Sequence, residues 1–286
     1  MSGGHAHYVI VDRDGHRVWY RHRGACDLFR DLLLGPERMA SLIRAQDGGS
    51  PDDWMNSVWW QGVALLDLRR RLLLVHTDQE MSGLDGDTSV PQIRAWLGLV
   101  GSRWPGWRVA WAARGLFEVM DYLGLPYDTV RYLDDPPPPV RGQWAYEVAD
   151  EDDPTVVAHA LVAVRDASGR LSFAGWWGDH LGPLLLAGPE PLLVPQDRAS
   201  EFAVLEGVPY SGLLLDARER RADWWSVDCP HDSRLPPARW PGWTLTDHGD
   251  AYEEVAALIG PEVLIDALSE EEALRRVCTA LEPSAR

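Results

Sequence analysis

The chain has 286 residues with 27 basic and 44 acidic side chains, so its net charge at neutral pH is −17. All the basic residues are arginines, which excludes lysine Schiff-base catalysis and P-loop nucleotide hydrolysis. So acidic a chain is not expected to bind nucleic acids in general or anionic membranes, and no apolar run is long enough to span a bilayer. Three cysteines are too few for a disulfide framework, and together with the absence of a visible secretory signal they predict a cytoplasmic protein.

The first half of the chain predicts alternating hairpins and helices. Apolar residues alternate over positions 7–23 around Asp14 and Gly15, a pair typical of a hairpin turn. Pro36 then begins an amphipathic helix that ends before Gly48. The next predicted elements are a hairpin joining 63–66 to 72–75, a helix through 93–100, a Trp-Pro-Gly-Trp turn at 104–107, a strand at 107–111 and a helix at 116–123.

The second half repeats short motifs of the first half in the same order, which is the pattern of an internal repeat. The longest is Arg-Trp-Pro-Gly-Trp, found at 103–107 and again at 239–243. Gly-Pro-Glu, found at 35–37, 188–190 and 260–262, is typical of a helix start. The other matches pair 32–37 with 185–190, 7–12 with 159–164, 118–119 with 254–255, and 62–69 with 212–218 after one deletion.

These matches predict an α+β fold of two tandem pseudo-symmetric modules, each with two β-hairpins, a further strand and about three helices. The first module covers 1–133 and the second covers 155–262. A Pro-rich and acidic linker at 134–154 separates them, and its four consecutive prolines favour a stiff polyproline II spacer. Residues 263–286 are predicted to form a C-terminal capping helix, because Ser269 and Glu272 match a capping box.

Fifteen tryptophans make the chain rich in indoles, and six of them stand as adjacent pairs. Neighbouring residues on a strand point to opposite faces, so each pair is expected to place one indole inward and one outward. An outward indole can stack on a flat ligand or a cation, or anchor a protein interface, whereas the plainer alternative is burial between modules. The six candidates are Trp59, Trp60, Trp176, Trp177, Trp224 and Trp225.

Other candidate side chains carry charge or titrate. Arg69 and Arg218 stand at the predicted hairpin tips, where they could grip carboxylates or phosphates or simply be solvated. Asp179 and His180 lie near the position equivalent to Cys26, but no catalytic signature surrounds them. His5, His7 and the Asp-Cys-Pro-His-Asp run at 228–232 hold metal-binding atoms without the paired clusters typical of zinc, so neither a metal site nor a cofactor is predicted.

No hydrolase, metalloprotease, dinucleotide-binding or helix-turn-helix signature occurs. The favoured hypothesis is therefore an acidic, Trp-rich binding protein without catalysis, which recognises a protein partner or a small-molecule ligand, as an immunity or self-resistance protein does. Charge asymmetry supports it, since residues 1–135 carry −3 and residues 136–286 carry −14. The alternative is an enzyme of unfamiliar type with its active site in a cleft between the modules. The catalytic residues and the oligomeric state stay open.

Overall fold

The computed structural model describes residues 4–56, 59–78, 89–130, 160–176, 181–193, 203–205, 207–227 and 239–282. Within these ranges the chain forms two five-stranded sheets, one two-stranded sheet and eight α-helices, so the predicted α+β fold of two modules is confirmed. The chain divides into two compact units. The first unit is Met1–Asp134 together with Ser269–Arg286, and the second unit is Asp135–Leu268.

The elements of the first unit follow the predicted order of hairpins and helices. They are β1 (Ala6–Asp12), β2 (Gly15–Arg21), α1 (Gly24–Asp31), a 3-10 turn (Leu32–Leu34), α2 (Pro36–Arg44), β3 (Gly62–Asp67), β4 (Leu72–Thr77), α3 (Val90–Arg103), β5 (Arg108–Trp111), α4 (Gly115–Leu123) and a second 3-10 turn (Tyr127–Thr129).

The second unit has a closely similar sequence of elements. They are β6 (Ala160–Arg165), β7 (Leu171–Trp176), α5 (Gly182–Ala187), α6 (Pro189–Leu192), β8 (Ala203–Leu205), β9 (Ser211–Asp216), β10 (Arg221–Ser226), β11 (Thr244–Asp247), α7 (Tyr252–Ile259) and β12 (Val263–Ile265). A last helix, α8 (Glu270–Leu281), follows in the chain and belongs to the first unit.

The two large sheets have the same topology. The first has the strand order β2-β1-β3-β4-β5, and the second has the order β7-β6-β9-β10-β11. In both sheets, the two strands within each hairpin pair antiparallel. Parallel pairing joins the first hairpin to the second, and the second hairpin to the last strand. Each hairpin therefore contributes two neighbouring strands. In the first unit, α1 and α2 lie in the crossover from the first hairpin to β3, and α3 lies in the crossover from β4 to β5.

Strand register corrects two of the matches between the halves of the chain, that of 62–69 with 212–218 and that of 7–12 with 159–164. β3 and β9 both have six residues and both end in an aspartate that caps the following turn, so Asp67 corresponds to Asp216 without any deletion. In each unit the first strand pairs with this strand, Val11 with Asp67 and Arg165 with Asp216. Positions 7–12 therefore correspond to 161–166, two residues beyond the predicted match, because register depends on pairing rather than on residue identity.

The repeated Trp-Pro-Gly-Trp turn has a structural reason in both units. The buried indole of Trp104 donates a hydrogen bond of 2.6 Å to the carbonyl oxygen of Leu32, and the indole of Trp240 donates one of 2.7 Å to Leu185. A carbonyl at the end of a helical segment needs such a donor when it is buried. The first indole of each motif thus joins the turn to the segment before α2 or α6.

Two of the three Gly-Pro-Glu sequences start helices, as predicted. Gly35 and Gly188 have φ of 83° before α2 and α6, a backbone conformation that favours glycine. Added Cβ atoms would lie 3.0 Å from the carbonyl oxygen of Arg103 and 2.6 Å from that of Arg239, respectively. The prediction is wrong for 260–262, which leads into the strand β12.

Apolar side chains cover both faces of each large sheet. In β3, Ala64 and Leu66 pack with residues of α1, α2 and α3, whereas Val63 and Leu65 pack with α4. In β9, Leu213 packs with residues of α5 and Trp240, whereas Leu214 packs with α7. Strands buried on both faces are continuously apolar, which explains the apolar runs of the central hairpins.

The C-terminal segment contains two elements rather than one helix. Residues 263–265 form β12, which pairs parallel with β8 in the second unit. α8 begins after Ser269, whose Oγ accepts a hydrogen bond from the backbone N–H of Glu272. Its buried Val277 and Ala280 join the core of the first unit, where α8 packs against α3.

Candidate functional site

The structure separates the predicted tryptophan pairs by burial. Trp59 and Trp60 lie just before β3 rather than within a strand, and they divide as predicted, with Trp59 57% exposed and Trp60 4% exposed. The expectation of an outward indole is wrong for Trp224 and Trp225, which are both buried. They do point to opposite faces of β10, but both faces are covered by core clusters.

The remaining candidates of the sequence lie at less informative positions. Trp176 is the last residue of β7. Trp177, Asp179, His180 and the Asp-Cys-Pro-His-Asp run at 228–232 lie outside the described residues. Cys26 is an exposed cysteine at the start of α1.

Arg69 and Arg218 are exposed in turns that aspartates hold. In the first unit, Oδ1 of Asp67 accepts hydrogen bonds of 2.8 Å from the backbone N–H groups of Arg69 and Arg70. In the second unit, Oδ1 of Asp216 accepts two of 3.0 Å, one of them from Arg218. These contacts use backbone N–H groups rather than the arginine side chains, and both turns have the same pattern of hydrogen bonds.

The second carboxylate oxygen, Oδ2, of Asp67 and of Asp216 has a different partner in each unit. Oδ2 of Asp67 accepts a hydrogen bond of 2.6 Å from the hydroxyl group of Tyr122 on α4. Oδ2 of Asp216 instead forms an ion pair of 2.7 Å with Arg165, which also donates to the last carbonyl groups of α7. Burial opposes the charge of both carboxylates, but these hydrogen bonds outweigh it and hold the pKa of each below its usual value.

Histidines gather on one face of the first sheet, at the end where β1 begins. β-sheet register places Tyr20, His7, Val63 and His76 in one row across β2, β1, β3 and β4. One step further along the β1–β2 hairpin, His5 lies opposite His22, with ring centroids 4.7 Å apart. We call His5, His7, Tyr20, His22 and His76 the histidine strip.

Two imidazoles of the strip are fully buried and therefore neutral. Burial lowers the pKa of His7 to about 3, and the neighbouring His5 adds to this effect. Burial also lowers the pKa of His76 to about 4, although the hydrogen bond between its Nδ1 and the carbonyl oxygen of Ala112 opposes the shift. Nε2 of His7 accepts a hydrogen bond of 2.8 Å from the backbone N–H of Met55, so its proton is on Nδ1.

Buried donors near the strip lack hydrogen-bond partners. Within the described part of the chain, neither Nδ1 of His7 nor the indole nitrogen of Trp60 has one. A buried unpaired donor costs about 1–3 kcal/mol, so such groups in a folded protein call for an explanation. Trp60 lies 5.6 Å from His76 between ring centroids, and its ring packs on Gly115, where a Cβ would be only 2.4 Å away.

The second unit fills the equivalent row with apolar groups. Leu161, Gly212 and Trp225 occupy the positions of His7, Val63 and His76. The indole of Trp225 lies over Gly212 so closely that a Cβ there would be 1.9 Å from its ring. The imidazoles are thus a feature of the first unit and are not required by the topology that the units share.

The segment before β3 presents an aromatic and acidic surface. We call residues 51–56 and 59–61 the Trp59 loop. Its ends are fixed, because the backbone N–H of Val18 donates to the carbonyl oxygen of Ser50, just before the loop, and that of Gln61 donates to the carbonyl oxygen of His5. Between these anchors Asp52, Asp53 and Trp59 are exposed. An exposed indole and exposed carboxylates in one loop suit recognition of a cationic surface.

The second unit has a polar network of its own, around His248. Its Nε2 lies 3.1 Å from Oδ1 of the buried Asp223, and its Nδ1 lies 2.7 Å from Oε2 of Glu254. Arg221 forms an ion pair of 2.9 Å with the same oxygen of Asp223. Partial burial opposes the charge of His248, but hydrogen bonds to Glu254 and Asp223 outweigh it and raise its pKa. Both ring nitrogens are engaged, so this imidazole ties the start of α7 to the sheet.

Comparison with protein-family models, with curated proteins and with solved structures finds no match to this chain. In the ranges that the structure covers, no three His, Cys, Asp or Glu side chains form a group suited to a metal ion. Nor does any helix in those ranges have the length and apolarity needed to cross a membrane.

Sequence reasoning missed the histidine strip because its members are scattered along the chain. Among its histidines only His5 and His7 are near each other in sequence, and their alternation was the available signal. His22 joins them through the register of the β1–β2 hairpin, and His76 joins through the parallel pairing of β1 with β3 and the β3–β4 hairpin, none of which residue spacing reveals.

Proposed function

We propose that the chain is a cytoplasmic binding protein without catalysis, which recognises a basic protein partner through the Trp59 loop, as an immunity or self-resistance protein does. The exposed indole of Trp59 carries this proposal. Tryptophan is one of the residues most enriched among interface hot spots, and the side chain of Trp59 is 57% exposed. The net charge of −17 supports a cationic partner, because it accelerates encounter with a surface of opposite charge.

The surroundings of Trp59 support a preformed site. The buried Trp60 holds the chain beside it, and the backbone of Met55 is bonded to His7 on β1. An anchored loop loses little conformational entropy when it binds, which favours affinity. Asp52 and Asp53 add the negative charge that would orient a basic partner and favour it over acidic ones.

The test is affinity capture from the native host with the full chain immobilised, followed by quantitative mass spectrometry. Trp59→Ala and the double substitution Asp52→Arg with Asp53→Arg are each expected to lower capture of basic proteins about tenfold or more. Leu264→Ala is the matched control, because Leu264 is 61% exposed but lies in the second unit. Equal capture by all four proteins, or capture of acidic proteins alone, would contradict the proposal.

The alternative of an enzyme has less support from the described residues. His248 is the imidazole best placed between carboxylates, but general acid–base catalysis needs a ring nitrogen that can reach a substrate. Both nitrogens of His248 already contact carboxylates. We therefore propose a structural role for the network around His248.

A further inference from the structure

A groove lies in the first unit where α3 and α8 both end, next to the first 3-10 turn. Its volume is about 460 Å³, within the range of about 300–1,000 Å³ that is typical of sites for small molecules. α3 and α8 pack against each other, so the groove is formed by elements of one unit.

The floor of the groove is apolar. Leu33, Leu99 and Leu281 line it, and these three side chains are half-buried and pack against the core of the first unit. Apolar surface that is removed from water stabilises a complex in proportion to the area covered. The floor therefore favours a ligand with a hydrocarbon part.

The rim of the groove carries one charge of each sign. Arg103 and Glu282 line the groove and are exposed. In the part of the chain that the structure describes, neither side chain forms an ion pair or a hydrogen bond. A guanidinium group can bind a carboxylate through two parallel hydrogen bonds. The carboxylate of Glu282 follows the C-terminal end of α8, whose partial negative charge adds to its attraction for an ammonium group.

The walls of the groove are held by hydrogen bonds that do not use its lining side chains. The indole of Trp104, directly after α3, donates to the carbonyl oxygen of Leu32 in the 3-10 turn. The guanidinium group of Arg30 on α1 donates a hydrogen bond of 3.3 Å to the carbonyl oxygen of Ala280 on α8. A site whose walls are already in place loses less conformational entropy when a ligand binds.

We propose that this groove binds a small apolar zwitterion of the class of a dipeptide of apolar residues. Its carboxylate pairs with Arg103, its ammonium group pairs with Glu282, and its side chains cover the leucines of the floor. A ligand with a carboxylate alone would leave Glu282 as a like charge, and an amine alone would leave Arg103 as one, so the rim favours a ligand with both groups. The groove shares no residue with the Trp59 loop, so this proposal does not depend on recognition of a protein partner.

The test uses the thiol of Cys278 as a reporter, because this exposed cysteine lines the groove. The full chain is alkylated with iodoacetamide during a titration with leucyl-leucine, and mass spectrometry measures the alkylation rate of each cysteine. The dipeptide is expected to slow alkylation of Cys278 to a saturating extent and to leave Cys26, exposed on α1, unchanged. No protection of Cys278, or equal protection of both cysteines, would overturn the proposal.

Blocking one end of the probe separates the two charge contacts. Arg103→Gln should weaken binding of leucyl-leucine about two- to fivefold, as expected for an exposed ion pair, but should not weaken binding of leucyl-leucine amide. Glu282→Gln should weaken leucyl-leucine similarly but not its N-acetyl form. Arg69→Gln is the matched control, because Arg69 is an exposed arginine of the same unit outside the groove. Blocked dipeptides that bind wild type as tightly as the free one, or unchanged binding by both groove variants, would overturn the zwitterion.

Leu281→Ala tests the apolar floor, with weaker binding of leucyl-leucine expected. Leu274→Ala is its matched control, because Leu274 is an exposed leucine of α8 outside the groove lining. Equal binding by wild type and Leu281→Ala would overturn the apolar contact. Amide protection of α3 checks that α8 stays packed, and the charge variants, which change only exposed side chains, decide the proposal if Leu281→Ala loosens that helix.

Discussion

Acidification should destabilise the first unit selectively, because two of its core side chains are imidazoles whose pKa is lowered by burial in the folded chain. The folded chain holds the pKa of His7 at about 3 and that of His76 at about 4, against 6.5 for the free side chain. Between these values the unfolded chain binds more protons than the folded one. Stability is therefore complete above pH 6.5 and falls as the pH drops.

The size of the effect follows from the two shifts. Each pH unit below 6.5 costs about 1.4 kcal/mol for each imidazole that stays neutral, so at pH 5 each contributes a loss of about 2 kcal/mol. His7 and His76 together should therefore lower the free energy of unfolding of the first unit by about 4 kcal/mol between pH 7 and pH 5. Such a loss is a large part of the stability of an ordinary domain.

Hydrogen exchange followed by mass spectrometry measures this loss for each unit separately. Amides of β1, β3 and β4 report on the first unit, and those of β9, a strand without histidine, serve as the internal control. His7→Leu introduces the residue that the second unit has at the same position, Leu161, and should remove about half of the pH dependence. His22→Ala, at an exposed position, should leave the dependence unchanged.

Two outcomes would refute this reasoning. Equal loss of protection in both units at pH 5 would show that the buried imidazoles do not decide acid sensitivity. A pH dependence that His7→Leu does not change would show that His7 is protonated in the folded chain. Either result would place the histidine strip closer to water than its burial indicates.

The remaining predictions concern packing and the second unit. Gly212→Ala should destabilise that unit by about 1–3 kcal/mol or more in urea unfolding, because its Cβ would lie 1.9 Å from the ring of Trp225. Gly98 is exposed in the middle of α3, and a Cβ added there would have no atom within 4 Å, so the matched substitution Gly98→Ala should instead stabilise the first unit by about 0.5–1 kcal/mol. A Gly212→Ala variant as stable as wild type would contradict the close contact with Trp225. His248 has a raised pKa, so its contribution is complete below pH 6.5 and is lost as the pH rises through that pKa. His248→Ala should therefore lower amide protection of β10 and β11 more at pH 6 than at pH 9, and an equal loss at both would contradict an ion pair with Asp223.

Local sequence signals predicted the repeated parts of the fold well. Gly35 and Gly188 both adopt a positive φ before a proline that is the first residue of a helix, and so they precede equivalent helices. The Trp-Pro-Gly-Trp motif predicts equivalent turns for a similar reason, since Trp104 and Trp240 each bond a carbonyl group of the preceding helical segment. Gly260 lacks that context, and the same triplet there precedes a strand.

The amino-acid sequence by itself determined the α+β class, the two related modules and the alternation of hairpins and helices, because turns, caps and apolar periodicity act over a few residues. Only the tertiary structure decided which indoles reach water. Helices cover both faces of β10, so Trp224 and Trp225 are buried, whereas Trp59 lies outside the sheet. It also decided that His5 meets His22, since hairpin register joins residues 17 positions apart, and pairing of that kind is a property of the folded chain.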